Sequence, residues 1–303
     1  MRQLIIEFLE DHFAQSELNR LPKSYGGGRI FSKPLIGIAR GDDPIFERFK
    51  TIAAPRHMTP SEMWIASGCS EIPSLAAQLR IISIVCPFSD QIRKESMEAE
   101  VLPAEIYSVG RNYANAFIID VLKQLIGFFQ SKGFQATAGI LSDAFDIYEG
   151  FLSTWSERHI AFAAGLGTFS LHEGLITEVG CNVRLCSVIT NAPLEFTPRL
   201  SDDPYANCLF YNNGKCRECE KKCPGEAIDK NGHNKLKCRA YGRRVQLEMI
   251  KRLGSLLKPH WRRIRGVFRE VSPPVGCAFC QFGVPCMDKN PMTSKNNFLI
   301  YKE

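Results

Sequence analysis

Apolar residues recur at helical spacing from the start of the chain. Leu4, Ile5, Phe8, Leu9 and Phe13 share one stripe, which predicts a helix over residues 2–18. Phe117, Val121, Leu125 and Phe129 repeat at i+4, and Lys132-Gly133 supplies a stop, so the spacing predicts a second helix over 115–131. A third, over 156–164, leads into Gly165-Leu166-Gly167. Between them the periodicity changes. "RIISIVCPF", 80–88, is a continuous β-branched run containing Pro87, the pattern of a buried strand. "GLITEV" and "VRLCSVIT" read as two strands joined by a turn around Gly180. Helices interleaved with β-branched runs predict an α/β (α+β) architecture for the first 200 residues. The glycines of "SYGGGRIF" lack both a preceding strand and a G-K-[ST] continuation, so they read as a turn and not as a phosphate cradle.

Polar interruptions exclude a membrane helix. The longest apolar stretch, "AFIIDVLKQLIGFF", is broken by Asp120 and Lys123, well short of the roughly 20 residues a span needs. The first residues, "MRQLIIEFLEDHF", carry acids where a signal peptide is apolar. The expectation is a soluble, cytoplasmic protein with no membrane partner. Charge divides the chain. Residues 1–200 hold 18 Lys+Arg and 22 Asp+Glu, a net of −4, whereas 201–303 hold 20 and 10, a net of +10, within a total of +6. "TPRLSDDPY", 197–205, has the Pro and Asp content of a linker. Two domains follow as an expectation, 1–200 and 201–303.

Cysteine usage gives the basic half its chemistry. Eight of the twelve cysteines lie between 208 and 286. Without a secretory signal, thiols stay reduced, and such a concentration points to metal. Cys69, Cys86, Cys181 and Cys186 lie apart among apolar or small residues and read as small buried hydrophobes. Cys216-x2-Cys219-x3-Cys223-Pro224 is three quarters of a bacterial ferredoxin motif, with Asn213 where its first cysteine belongs. Cys208, displaced upstream by a longer loop, supplies the missing thiolate. The cysteine before Pro belongs to the other cluster in two-cluster ferredoxins. The economical pairing is therefore Cys208, Cys216, Cys219 and Cys286 for one 4Fe-4S cluster, and Cys223, Cys238, Cys277 and Cys280 for a second. This predicts a C-terminal two-cluster ferredoxin-like domain, with Pro224 opening a short helical turn, "PGEAI". Two four-cysteine zinc sites are the competing reading.

"ERHIAFAAGLGTFSLHEGLIT", 157–177, resembles the E-[KR]-x-[LI]-A-x-x-A-G-L-G segment of epoxyqueuosine reductases and the wider reductive dehalogenase group, matching at Glu157, Arg158, Ile160, Ala161, Ala164, Gly165, Leu166 and Gly167. "VGRNYANAF" is similar to their G-R-D-Y segment at Gly110, Arg111 and Tyr113, and "KCRAYGR" resembles the surroundings of their lone cysteine at Cys238. The resemblance covers about residues 80–290. It implies an N-terminal cobalamin-binding-type domain fused to the cluster module. It also implies electrons passing from a soluble carrier through the clusters to cobalamin, and reduction of a small molecule or modified nucleoside. It assigns Arg111, Glu157, Arg158, Ala164, Gly165, Leu166 and Gly167 to cofactor contact, the glycines lying where only a hydrogen fits against the corrin. The family's proton-donating Asp falls at Phe151 here, which leaves Tyr113, Tyr148 and Glu149 as candidate donors. Many relatives continue into a helical-repeat domain that helps hold tRNA. This sequence stops at 303 without it, which weakens tRNA as a partner.

The basic stretch "RRVQLEMIKRLGSLLKPHWRRIRGVFRE", 243–270, predicts a helix with Val245, Met249, Leu253 and Leu256 inward and Arg243, Arg244, Lys251 and Arg252 outward, followed by Arg262, Arg263 and Arg265. A positive face beside clusters suits an acidic ferredoxin or flavodoxin as electron donor. The rival functions are a non-enzymatic electron carrier lacking cobalamin and an RNA-binding iron–sulfur protein.

Overall fold

A computed structural model describes residues 1–199, 201–264 and 267–293, with the side chains of 262–268 left out of the description. Its organising element is a four-stranded sheet in the order Leu35–Arg40, Arg80–Pro87, Val183–Thr190, Ala136–Thr137. All neighbours are antiparallel. The near-continuous apolar run of Arg80–Pro87 therefore does not mark a parallel sheet. It marks a central strand covered on both faces, buried from Ile81 onward.

The two faces follow the alternation of side chains along a strand. Ile82, Ile84 and Cys86 face helices Arg2–Gln15 and Glu105–Gln130, in a core with Ile5, Leu9, Phe117, Val121 and Leu125. Ile81 faces the other way, with Ala39 and Ile189, against Phe46, Phe49, Met63, Trp64 and Ile160. The helix predicted over 115–131 begins at Glu105, ten residues earlier. Small residues hid its first turns: Ser108 and Gly110 are both buried, and a Cβ on Gly110 would lie 2.8 Å from the Ile92 side chain. On the N-terminal helix Ile5, Leu9 and Phe13 are buried, whereas Leu4 turns outward.

Two strand pairings differ from expectation. Leu175–Thr177 does not join Val183–Thr190. It forms a hairpin with Gly167–Phe169, and Val183–Thr190 enters the main sheet. "PGEAI" is not helical: a turn at Pro224-Gly225 leads into the short strand Ile228–Asp229. The basic stretch is a helix only over Lys235–Leu253. Val245, Met249 and Leu253 are buried as the stripe predicts, but Leu256 lies beyond the helix end and is 36% exposed. Arg243, Arg244, Lys251 and Arg252 are exposed. Arg265 and the side chains of Arg262 and Arg263 lie outside the described residues.

The linker is docked, not loose. Thr197 bonds both ways to the edge strand, its N–H to the Ile38 carbonyl at 2.7 Å and its hydroxyl from the Ile38 N–H at 3.1 Å. Arg199 pairs with Asp43. The apolar core that contains Ile5 and Phe117 also contains Cys208, Cys219, Ile228, Val245 and Met249, so one core runs through both halves. Among the described residues no helix is long and apolar enough to cross a membrane.

Phe117 is fully buried and packs edge-on to Phe13, with ring centroids 4.8 Å apart. Phe117→Ala is expected to lower the unfolding free energy by about 3–5 kcal/mol, read from urea denaturation.

Candidate functional site

The first four thiols meet around one cavity. Cys208, Cys216, Cys219 and Cys286 line a partly open space of about 330 Å³, together with His172, Leu171 and Ile176. Local structure explains each position. Asn213, standing where the motif has cysteine, closes its loop by accepting the Lys215 N–H on its side chain at 3.0 Å, and Gly214 follows in the left-handed region. That extra loop pushes the ligand back to Cys208, whose carbonyl is held by the Asn212 side chain at 2.9 Å. Cys219 sits in the short helix Glu218–Lys221, and burial pushes its thiol up to about 12, helped by the neighbouring Cys286, Cys208 and Cys216. Cys286 is pinned from the N-terminal half. The Cys181 N–H donates to the Cys286 carbonyl at 2.8 Å and the Asn182 N–H to Met287 at 3.1 Å. Gly180, at φ +85°, permits this approach, since a side chain there would collide with the Met287 carbonyl.

The other four thiols gather separately. Burial pushes Cys277 up to about 12, with Cys238 and Cys223 adding to the effect. Cys280 is raised further by burial and by Cys277, Cys238, Cys219 and Cys223. Cys219 is the member that links the two groups. The Cys223 sulfur accepts the Ala227 N–H at 3.4 Å, so the turn after Pro224 supplies a donor without being a helix. Cys238 is exposed in the first turn of Lys235–Leu253. His233 is raised to about 9 by hydrogen bonds to Cys238 and to Glu173.

Soft thiolates lining one pocket suit a thiophilic metal or an inorganic cluster. Among the described residues, the His/Cys/Asp/Glu group gathered within 4.8 Å is His172, Cys181 and Cys286. Cys181 and His172 escaped the sequence reading.

The segment that carries the family resemblance is occupied by the chain itself. A Cβ on Gly165, at φ +74°, would lie 2.7 Å from the Pro198 carbonyl, and one on Gly167 would collide with the Ile176 carbonyl. Ala164 is fully buried. Close approach of backbone is the reason for these small residues, but the backbone is the linker and the 175–177 strand. Gly165 and Gly167 are accounted for by packing within the chain.

Glu157 and Arg158 part company. Arg158 donates to the Glu173 carbonyl at 2.5 Å and feels the charge of Cys238. Glu157 turns into the core near Trp155, Ser187 and Arg184. Its carboxylate oxygens are buried, and burial raises its pKa to about 7 against the opposing pull of Ser187, Trp155 and Arg184. Arg111 donates to Asn115 at 2.9 Å and lies against the loop before Cys277, where its side chain is 3.2 Å from a Cβ built on Gly276.

The three candidate donors do not converge. Tyr113 carries the Lys258 ammonium 4.0 Å above its ring. Tyr148 accepts the Arg56 N–H at 3.1 Å, under that residue's guanidinium. Glu149 is exposed at the same hairpin tip. None of the three lines the cysteine cavity. Phe151, in register with the family's Asp, is a non-glycine residue at φ +58° with the Arg239 guanidinium 4.4 Å above its ring, one residue from Cys238. The carboxyl suited to hold a proton at neutral pH is Glu157.

No family model and no curated protein matches the chain by sequence. Solved structures do match its fold. A selenomethionine-labelled epoxyqueuosine reductase superposes with a TM-score of 0.51 at 15% identity, over 96% of this chain and 70% of that one. The epoxyqueuosine reductase from Streptococcus thermophilus gives 0.52 at 16%, over 95% and 69%. A reductive dehalogenase aligns at 0.43 and 17% identity, over 69% of this chain and 27% of its own. The chain has the mixed α/β fold of the epoxyqueuosine reductases.

Glu157 makes stability depend on pH. Its ordinary value is 4.5 and its folded value about 7, so between these the native state keeps a proton that the unfolded chain releases. Stability from this group therefore falls as pH rises through that window, and the full penalty stands above about 7. Glu157→Gln is expected to gain on the wild type by about 2 kcal/mol more at pH 8 than at pH 5, measured by chemical denaturation at both.

Proposed function

We propose that this chain is an iron–sulfur oxidoreductase of the cytoplasm. It takes electrons from a soluble acidic donor into two 4Fe-4S clusters and uses them to reduce a small molecule or modified nucleoside. The observation that supports this reading is the convergence of Cys208, Cys216, Cys219 and Cys286 on one pocket, with Cys223 and Cys238 acting on Cys277 and Cys280. The likeness in fold to epoxyqueuosine reductases supports the reductase class and the nucleoside as substrate.

The clusters supply one-electron transfer when bound. Cys208, Cys216, Cys219 and Cys286 would hold the first, and Cys223, Cys238, Cys277 and Cys280 the second, in a ferredoxin-like C-terminal part. The chain's own contribution is burial. It keeps Cys208 and Cys219 out of water and shields others in part, leaving Cys238 at the surface. Glu157 is buried beside Trp155 and Ser187 and titrates near neutral pH. A corrinoid would supply the reducing chemistry when bound, with Arg111, Glu157, Arg158 and residues 164–167 as the positions the resemblance assigns to it.

Anaerobically purified protein is expected to hold about eight iron and eight sulfide per chain. Cys223→Ala should alter the EPR signal of one cluster and Cys216→Ala that of the other. About two zinc per chain with no iron, or damage to the same signal by both variants, would sink the reading.

The electron donor should approach along helix Lys235–Leu253. Cys238 is exposed on it, and Arg239, Arg243 and Arg244 are exposed beside or after it. Opposite charges speed encounter by roughly tenfold or more at low salt. Arg239→Glu with Arg243→Glu is expected to slow reduction by an acidic ferredoxin, with the loss shrinking as salt rises, and to leave reduction by dithionite unchanged. Stopped-flow absorbance with both reductants decides it.

A further inference from the structure

Behind Cys286 lies a pair of side chains that neither the ferredoxin motif nor the fold accounts for. The Cys181 sulfur is 3.7 Å from the Cys286 sulfur, and a ring nitrogen of His172 is within 4.8 Å of both. Cys181 is 2% exposed and His172 5%. Cys286 and His172 line the same partly open pocket, whereas Cys181 stands behind them.

The histidine is built into place. Its ring ends the hairpin turn Ser170–Gly174. The Ser170 N–H and hydroxyl both donate to the Gly174 carbonyl, at 2.9 and 2.8 Å, and Glu173 takes φ +59°. Gly174 has no side chain because one would run into the imidazole, 2.7 Å from Nδ1. The Gly174 N–H donates to Nδ1 at 3.2 Å. Nδ1 is therefore the acceptor, and the neutral ring carries its proton on Nε2. That Nε2 is buried and has no hydrogen-bond partner of its own. A buried N–H without a partner is costly, and a sulfur ligand of an inorganic cluster is the acceptor at hand.

The Cys181 and Cys286 sulfurs stand within hydrogen-bond distance, held there by the backbone pairing of the same two residues. With Cys286 bound to a cluster through its sulfur, the S–H left to donate across that contact is that of Cys181.

We propose that Cys181 and His172 are positioning residues of the first cluster, two fixed donors whose S–H and N–H stabilise the charge on Cys286 and raise that cluster's reduction potential. The proposal rests on the two-cluster reading above. Reduction adds negative charge to the cluster, and hydrogen bonds to its sulfurs stabilise the reduced form, which sets the direction of the effect.

The test is a potentiometric EPR titration of anaerobically reconstituted full-length protein, with iron and sulfide counted on the same samples. Cys181→Ala and His172→Gln are each expected to keep about eight iron. Each should leave one cluster's midpoint unchanged and lower the other's by about tenfold in its reduction equilibrium, or about 59 mV for one electron. Cys181→Ser retains a donor and should recover most of that shift. Loss of about four iron in Cys181→Ala would make Cys181 a ligand and overturn the proposal. Unchanged midpoints for both clusters in both variants would reduce the pair to packing and overturn it as well. Wild-type protein that holds zinc in place of iron overturns the two-cluster reading itself, and is told apart by the metal count alone.

Discussion

The site depends on one short stretch of backbone pairing. Residues 181 and 182 donate to the carbonyls of 286 and 287, and Gly180 makes the approach possible. These bonds add direct backbone register to a segment already held by buried Phe282, Val284 and Met287. With them, Cys286 is as well placed as a residue of the central sheet, because the donor segment leads directly into strand Val183–Thr190. The glycine matters more than the two hydrogen bonds it permits. A pair of amide bonds is worth about 1–3 kcal/mol in total, but a side chain at 180 would prevent the pairing outright.

Burial works on the thiols in one direction. Cys219, Cys277 and Cys280 are all pushed up, first by desolvation and then by one another. These three buried thiols ionise readily only with a cation to neutralise them, which links metal affinity to folding. Cys286 is the exception. It is lowered by its hydrogen bond with Cys181 and then by His172, which gives the first group a ready thiolate. The turn Ser170–Gly174 serves both groups at once: His172 faces the first, and Glu173 bonds through its side chain to His233 beside the second.

Much of this was legible in the sequence, for uneven reasons. Iron–sulfur ligation demands cysteine at tight spacing, so eight thiols announce themselves. Long helices declare their buried stripes, as Phe117, Val121, Leu125 and Phe129 do. Cys181 was not legible, because a single cysteine among apolar residues looks like any small buried side chain and its partner is 105 residues away. His172 sits inside the quoted family segment, yet its orientation is set by Gly174, and a histidine–glycine pair two residues apart carries no recognisable signal. Gly165 and Gly167 show the opposite problem. Glycine reports that something comes close but not what, and here it is Pro198 and Ile176. The three-residue strands at 167–169 and 175–177 are too short for a period-2 pattern to reveal their pairing. Glu157 was recognised as a matching residue, but its proton-holding character comes from burial, which spacing does not display.

The tether at Gly180 also makes the pocket a product of the whole chain. The thiols at 208, 216 and 219 come from one short stretch, but the fourth is brought to them from residue 286 by backbone pairing with the segment that leads into the central sheet. A ligand set of this kind is completed by tertiary structure, so any metal it bound would be enclosed by the folded chain and not by the cysteine-rich stretch alone.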